Sequence, residues 1–120
     1  MVEAVRKLIP EAEITAVGTN PMATTSMLKA GATNGATGEN AVIVGARNAD
    51  IIVGPIGIAI ADSLLGEITP AMAVAVGQSG AKKVLIPVNK CNNIVVGTEG
   101  KSTSDLISEA ILKIKEISRS

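Results

Sequence analysis

The chain has 120 residues, a length typical of one domain, and its 11 basic and 11 acidic residues give a net charge of zero. A neutral surface argues against nucleic acid as a partner, and the absence of Phe, Tyr and Trp removes the aromatic platforms on which single strands stack. With no histidine and one cysteine, the sequence excludes a histidine-dependent zinc site, a Ser-His-Asp triad and an internal disulfide, and it favours the reducing cytoplasm.

Hydrophobic residues make up 47% of the chain, and this fraction bears on membrane insertion and on self-association. The longest apolar stretch, residues 51–65, is interrupted by Gly, Pro and Asp, so we expect no membrane span. A hydrophobic chain without net charge favours association over a dispersed monomer. We therefore expect a homo-oligomer.

Helix and strand patterns alternate along the first half of the chain. Apolar residues at helical spacing predict a first helix that ends at Pro10, and residues 13–18 have the composition of a strand. Asn20 followed by Pro21 is a typical helix start, because Asn caps the free N–H groups and Pro suits the first helical position. This second helix is predicted to end at Gly31.

The middle of the chain is less regular. Residues 32–38 are rich in Gly, Thr and Asn and predict a loop. Residues 39–47 fit either a helix or a strand, and a short helix is favoured because parallel strands need a crossover between them. The remaining predicted elements, in chain order, are a strand at 50–54, a helix at 57–65, a helix from Thr69-Pro70 to about Ser79, strands at 83–88 and 94–96, and a helix at 102–118. This alternation predicts a single three-layer α/β domain over residues 1–120, with a mostly parallel sheet.

Small and amide residues follow three of the predicted strands. In open parallel sheets, ligands bind at the carboxyl ends of the strands, where glycine allows close backbone approach and a helix N-terminus favours an anion. The same residue types are also ordinary turn formers, and that alternative stays open. The predicted ligand-binding residues are Gly18, Thr19, Asn20, Gly54, Pro55, Gly57, Asp62, Asn89 and Lys90.

Two of the polar residues are candidates for chemistry. Asp62 lies inside a predicted apolar helix, where an acid is unusual, and with Ser63 and Glu67 it could line a pocket and act as a base or a ligand anchor. The alternative is that Asp62 is a partly exposed residue or caps a neighbouring turn. Cys91 follows Lys90, whose charge could lower the pKa of the thiol, although a lone cysteine is more often a small buried apolar residue. The sequence contains neither a Gly-x-Gly-x-x-Gly turn after a strand nor a Walker A motif, and it identifies no cofactor.

Segments distributed over nearly the whole chain resemble one family. They are Val17-Gly18-Thr19-Asn20, Met27-Leu28-Lys29-Ala30-Gly31-Ala32, Gly35-Ala36-Thr37-Gly38-Glu39-Asn40-Ala41, Ala49-Asp50-Ile51-Ile52-Val53-Gly54-Pro55-Ile56, Gly66-Glu67-Ile68-Thr69-Pro70-Ala71-Met72 and Asn89-Lys90-Cys91-Asn92. They resemble a family of short clostridial-type bacterial proteins, a domain of unknown function with a Rossmann-like start. The resemblance implies a fold more than an activity, because the family carries no established activity.

The resemblance also bears on the start of the chain. Members of that family begin upstream of the position of Met1, with a short strand and a glycine-rich turn that looks like the start of a dinucleotide-binding fold. The resemblance therefore implies that the chain is N-terminally truncated. The first helix agrees with this expectation, because it begins at Met1 without a capping residue.

Three hypotheses of function follow. The first is a cytoplasmic, Rossmann-like binding domain for a small anionic or nucleotide-like molecule. The second is an enzyme that uses Asp62 or Cys91 in the same crevice. The third is a structural or regulatory homo-oligomer without a small-molecule ligand.

Overall fold

The computed structural model describes residues 1–88 and 92–118. Within these residues the chain forms five α-helices, four β-strands and one 3-10 helix. In chain order they are α1 (Val2–Leu8), β1 (Thr15–Gly18), α2 (Pro21–Lys29), β2 (Asn34–Thr37), α3 (Glu39–Asn48), β3 (Ile51–Pro55), the 3-10 helix (Ile56–Ala59), α4 (Pro70–Gln78), β4 (Lys82–Ile86) and α5 (Thr103–Ser118).

The strands pair in parallel in two small sheets. β1 pairs with β2 from Thr15 opposite Asn34 onward, and β3 pairs with β4 from Ile51 opposite Lys82 onward. Each pair is joined by a crossover helix, as parallel pairing requires. An α/β fold is thus confirmed. Strand pairing does not join the two sheets into one, so the three-layer Rossmann-like arrangement stays a prediction.

The helices cover the strands and enclose a small aliphatic core. α2 and α3 pack on β1 and β2, α3 also packs on α4, and α5 packs on β4. The buried cluster lies between the 3-10 helix, α3 and α4. Its members are Ile68, Met72 and Ala73, with Val42, Ile58 and Leu64 packed against them.

Two helix starts predicted from the sequence are confirmed in atomic detail. The Asn20 side chain accepts a hydrogen bond from the N–H of Ala23 at 2.9 Å, with Pro21 at the first position of α2. The Thr69 hydroxyl accepts one from the N–H of Met72 at 3.2 Å, with Pro70 at the first position of α4. The helix favoured for residues 39–47 is confirmed as α3.

The loop predicted for residues 32–38 is wrong, because residues 34–37 form β2. The strand is specified by its pairing with β1 and not by its own composition, since all four of its residues are exposed. Its glycine has a packing reason. A Cβ built on Gly35 would lie 2.9 Å from side-chain carbons of Leu28 and Thr24, so only glycine lets α2 approach this strand.

The helix predicted for residues 57–65 is also wrong. After one turn of 3-10 helix, the carbonyl of Gly57 accepts the N–H of Ile60 at 3.0 Å and the hydroxyl of Ser63, so no α-helical bond forms there. Asp62, Leu64 and Leu65 then adopt positive φ values between 55° and 63°, which end any helix. The segment folds as consecutive turns up to the start of α4.

The last strand predicted, residues 94–96, is not formed. Ile94 and Val96 are instead 88% and 85% exposed in a stretch without regular structure. Strand propensity reflects a half-buried, paired surface, and this stretch has no such surface in the isolated chain. The predicted strand at 83–88 is confirmed with a small shift, as β4.

Candidate functional site

The carboxyl ends of β1 and β2 lie side by side. Gly18 is opposite Thr37 in the parallel register, and the N–H of Gly38 donates to the carbonyl of Gly18 at 3.0 Å. Thr19, which follows β1, and Gly38-Glu39, which follow β2, therefore emerge at the same edge. The sequence predicts a ligand site at the carboxyl ends of three strands, and β1 is one of the three.

Two hydroxyl–carboxylate hydrogen bonds connect this edge to the turns that precede α4. The Thr19 hydroxyl donates to the carboxylate of Glu67. The Thr69 hydroxyl donates to the carboxylate of Glu39 at 2.6 Å. We call the surface formed by Thr19, Gly38, Glu39, Glu67 and Thr69 the rim. It joins the end of β1, the starts of α3 and α4, and the turn segment that follows β3.

A buried threonine next to the rim connects α2 to β2 by hydrogen bonds. Thr24, on the first turns of α2, is 6% exposed, and its hydroxyl lies 2.8 Å from that of Thr37 and 3.2 Å from the carbonyl of Ala36. Gly18 permits this close approach, because a Cβ there would lie 2.7 Å from the N–H nitrogen of Thr24. The loop after β1 is therefore held in one position relative to β2.

The N-terminus of α3 is the uncapped helix start at the rim. Its N-cap residue is Gly38, with φ of 100°, and no side chain accepts a hydrogen bond from the first turn. A Cβ built on Gly38 would meet nothing within 4 Å, so the space beside it is open. By contrast, α2 and α4 are capped by Asn20 and Thr69. The first N–H groups of α3 are thus left to other acceptors.

The charge of the rim comes from two carboxylates. Among the described residues that define it, Glu39 and Glu67 are acidic and none is basic. Both are exposed, and an ionised carboxylate has about four acceptor positions, of which one threonine hydroxyl occupies one in each case. The rim is therefore suited to a ligand that brings its own hydroxyl or amino donors.

The predicted site residues do not all reach the rim in the same way. Thr19 belongs to it, and Gly18 and Asn20 adjoin it. Gly54 packs against Ile58, and Gly57 is buried with its carbonyl bonded to Ser63, so both have packing roles. Pro55 is the last residue of β3.

The remaining predicted residues fall into two groups. Asp62 lies on an exposed turn where its N–H donates to the carbonyl of Ile68 at 2.6 Å, and not in the predicted helix. Asn89, Lys90 and Cys91 lie outside the described residues.

Sequence reasoning missed three rim residues: Gly38, Glu39 and Thr69. The signal for the first two was present, since a glycine and a glutamate follow residues 34–37 directly. A glycine and a glutamate indicate a site only where they follow a strand, and residues 32–38 were expected to form a loop. Thr69 was recognised as a helix cap, but its hydroxyl also donates to Glu39, a contact that only the tertiary structure creates.

A second concave surface lies between β4 and α5. It is an open groove of about 990 Å³, and the described residues that line it include Val84–Pro87 on one side and Leu106, Ala110 and Leu112 on the other. None of the predicted site residues that the structure describes lines this groove.

Two structural features are absent from the described part of the chain. Residues 1–88 and 92–118 contain no group of three or more Cys, Asp or Glu side chains that could hold a metal ion. None of the helices in these residues combines the length and the apolar character needed to cross a bilayer.

Comparison with protein families identifies the family of the chain. Residues 1–119 match the family described as a domain of unknown function, DUF3842. The chain belongs to this family. The match spans nearly the whole chain, so the DUF3842 domain includes both the rim and the groove between β4 and α5. The curated proteins and the solved structures give no match to the chain.

Proposed function

We propose that this DUF3842 chain is a cytoplasmic, Rossmann-like binding domain for a small nucleotide-like molecule that docks on the rim. The observation that carries the proposal is the uncapped N-terminus of α3, open beside Gly38, next to two carboxylates that each keep acceptor positions. Such a surface offers main-chain donors for an anion and carboxylate acceptors for hydroxyl groups within one site.

The anionic part of the ligand is assigned to the start of α3. The N–H groups of residues 39–41 point out of the helix end, and the helix dipole adds partial positive charge there. The hydrogen bond from Thr69 holds the Glu39 carboxylate on the side of α4, which limits its repulsion of an anion at the helix end. Lys90, which the sequence predicts to face the anion, lies outside the described residues.

We assign the Glu67 carboxylate as the acceptor for the hydroxyl groups of the ligand. An acidic side chain that accepts hydrogen bonds from ribose hydroxyls is a recurrent feature of dinucleotide-binding α/β folds. Glu67 reaches the end of β1 through its hydrogen bond with Thr19 and remains exposed. It can therefore accept a vicinal diol on its remaining acceptor positions.

Calorimetric titration with ADP, adenosine and inorganic phosphate tests this proposal. ADP is expected to bind more tightly than either of its parts, because only ADP engages both contacts. Glu67→Gln should weaken ADP about tenfold or more, the effect of losing a hydrogen bond to a charged group. The exposed Glu99→Gln is the matched control, with the same charge change in the loop before α5. Absence of ADP binding at millimolar concentration, or equal effects of the two variants, would contradict the proposal.

A further inference from the structure

β4 presents one free edge to the groove. Among the described residues, β4 pairs with β3 alone, so its other edge is unpaired. Four consecutive residues, Val84–Pro87, line the groove. Side chains alternate between the two faces of a strand, so a groove that is lined by consecutive residues is consistent with one that runs along the edge of the strand. The opposite wall is α5, which contributes Leu106 and Ala110 from its apolar stripe. It also contributes the exposed Leu112, which lies among charged side chains of the same helix.

The chain also carries a short apolar segment, residues 94–96, whose two outer side chains are largely exposed. Ile94 and Val96 are 88% and 85% exposed, and both are β-branched, as strand residues commonly are. Val95 between them accepts a hydrogen bond from the hydroxyl of Thr98 at 2.9 Å, and Thr98 itself lines the groove. The segment 94–96 therefore lies near the mouth of the groove without filling it.

The chain exposes more surface than a folded monomer of its mass usually does. The accessible surface is 7254 Å², whereas a folded monomer of 12.1 kDa exposes about 6000 Å². The excess, roughly 1200 Å², is larger than the ~800 Å² that each partner contributes to a standard interface. Ile94, Val96 and Leu112, the last 63% exposed on the groove wall, are among the large apolar residues that contribute to it.

We propose that the groove between β4 and α5 is a homodimer interface, in which residues 94–96 of a second copy add along the free edge of β4. Main-chain hydrogen bonds to an edge strand supply affinity in this mode, and alternate side chains fill pockets. Each copy offers both a groove and a segment, so the contact is reciprocal and closes as a two-fold dimer.

The charges around the groove are compatible with a second copy. The chain has no net charge, so two copies do not repel each other at long range. Lys101 pairs with Glu109 at 2.8 Å and Lys113 with Glu116 at 3.4 Å, so these side chains are neutralised within each copy. Lys115 also lines the groove, so the proposed contact is partly polar. Main-chain hydrogen bonds and apolar side chains supply most of its affinity, and the dimer is therefore expected to weaken only modestly when the salt concentration is raised.

Sedimentation equilibrium from about 1 to about 100 µM, a range in which interfaces of standard size associate, tests the proposal. The full chain should be a dimer at the upper end, and both Ile94→Asp/Val96→Asp and Leu112→Lys should shift it to monomer. Val74→Lys is the control, because Val74 is a 53% exposed apolar residue on α4, away from the groove. Circular dichroism confirms that each variant is folded. A wild-type monomer throughout, or a dimer that only Val74→Lys dissociates, would overturn the proposal.

Cross-linking separates a second copy from the chain's own segment. In a Cys91→Ser background, Val96→Cys and Leu112→Cys are prepared as two separate proteins, mixed, and treated with a short bismaleimide. A cross-linked heterodimer formed well beyond the homodimers is expected. If the variant carrying both cysteines instead links within one chain and the mixture does not react, residues 94–96 occupy their own groove and the proposal fails.

Discussion

Gly18→Ala tests the close approach of α2 to the end of β1, on which the position of the rim depends. A Cβ at this position would overlap the Thr24 hydroxyl and lie 2.7 Å from the Thr24 main-chain nitrogen and 3.0 Å from the Asn20 carbonyl oxygen. Main-chain atoms cannot turn away as a side chain can, so α2 must move. Overpacking of this kind costs about 1–3 kcal/mol of unfolding free energy. At about 4 °C per kcal/mol for a domain of this size, the melting temperature should fall by roughly 4–12 °C.

Gly77→Ala is the matched control, because it makes the same substitution with the opposite expected sign. Gly77 lies in α4, is exposed, and a Cβ there would meet nothing within 4 Å. Alanine should stabilise the helix by up to about 1 kcal/mol. Thermal and urea unfolding followed by circular dichroism measure both variants. If Gly18→Ala proves as stable as Gly77→Ala, α2 does not pack on the end of β1 as described, and the argument for the rim fails with it.

Two further substitutions test the contacts at the two ends of the β1–β2 pair. Arg6 donates hydrogen bonds to the carbonyls of three residues and to the hydroxyl of Thr33, so Arg6→Met should lower the unfolding free energy by about 2 kcal/mol. The control is Lys7→Met, which removes an exposed ion pair and should change the unfolding free energy by less than about 0.5 kcal/mol. Similar urea midpoints for Arg6→Met and Lys7→Met would contradict this account. Thr24→Val removes the buried hydroxyl next to the rim and should lower the unfolding free energy by about 1–3 kcal/mol. Thr25→Val, at an exposed position, should change it by less than about 0.5 kcal/mol. Equal changes for the two variants would refute the role of the Thr24 hydroxyl.

The elements that the sequence predicts well are those specified by local chemistry. Asn20-Pro21 and Thr69-Pro70 each combine a side-chain cap with a fixed φ at the first helical position, so those helix starts do not depend on distant contacts. The long apolar stripe of α5 is equally local, because its spacing alone defines one face. Parallel pairing followed from the alternation of such helices with strands.

The elements that the sequence predicts poorly depend on tertiary contacts. β2 is a strand because β1 lies beside it, and its Gly35 reflects the approach of α2 and not a turn. The apolar pattern of residues 57–65 matched a helix, but the Ser63 hydroxyl takes the Gly57 carbonyl that a helix would need. The rim carboxylates Glu39 and Glu67 acquire their partners only when segments about 30 and 48 residues apart meet. No local pattern contains that information.

The most direct test of the proposed site is a map of amide chemical shifts in ¹⁵N-labelled protein titrated with ADP. The account predicts that the largest changes occur at residues 18–20, 38–41 and 67–69, because these residues surround the uncapped start of α3 and the Thr19–Glu67 contact. Largest changes at residues 84–87 and 106–112 would place the ligand in the groove between β4 and α5 and contradict the proposal.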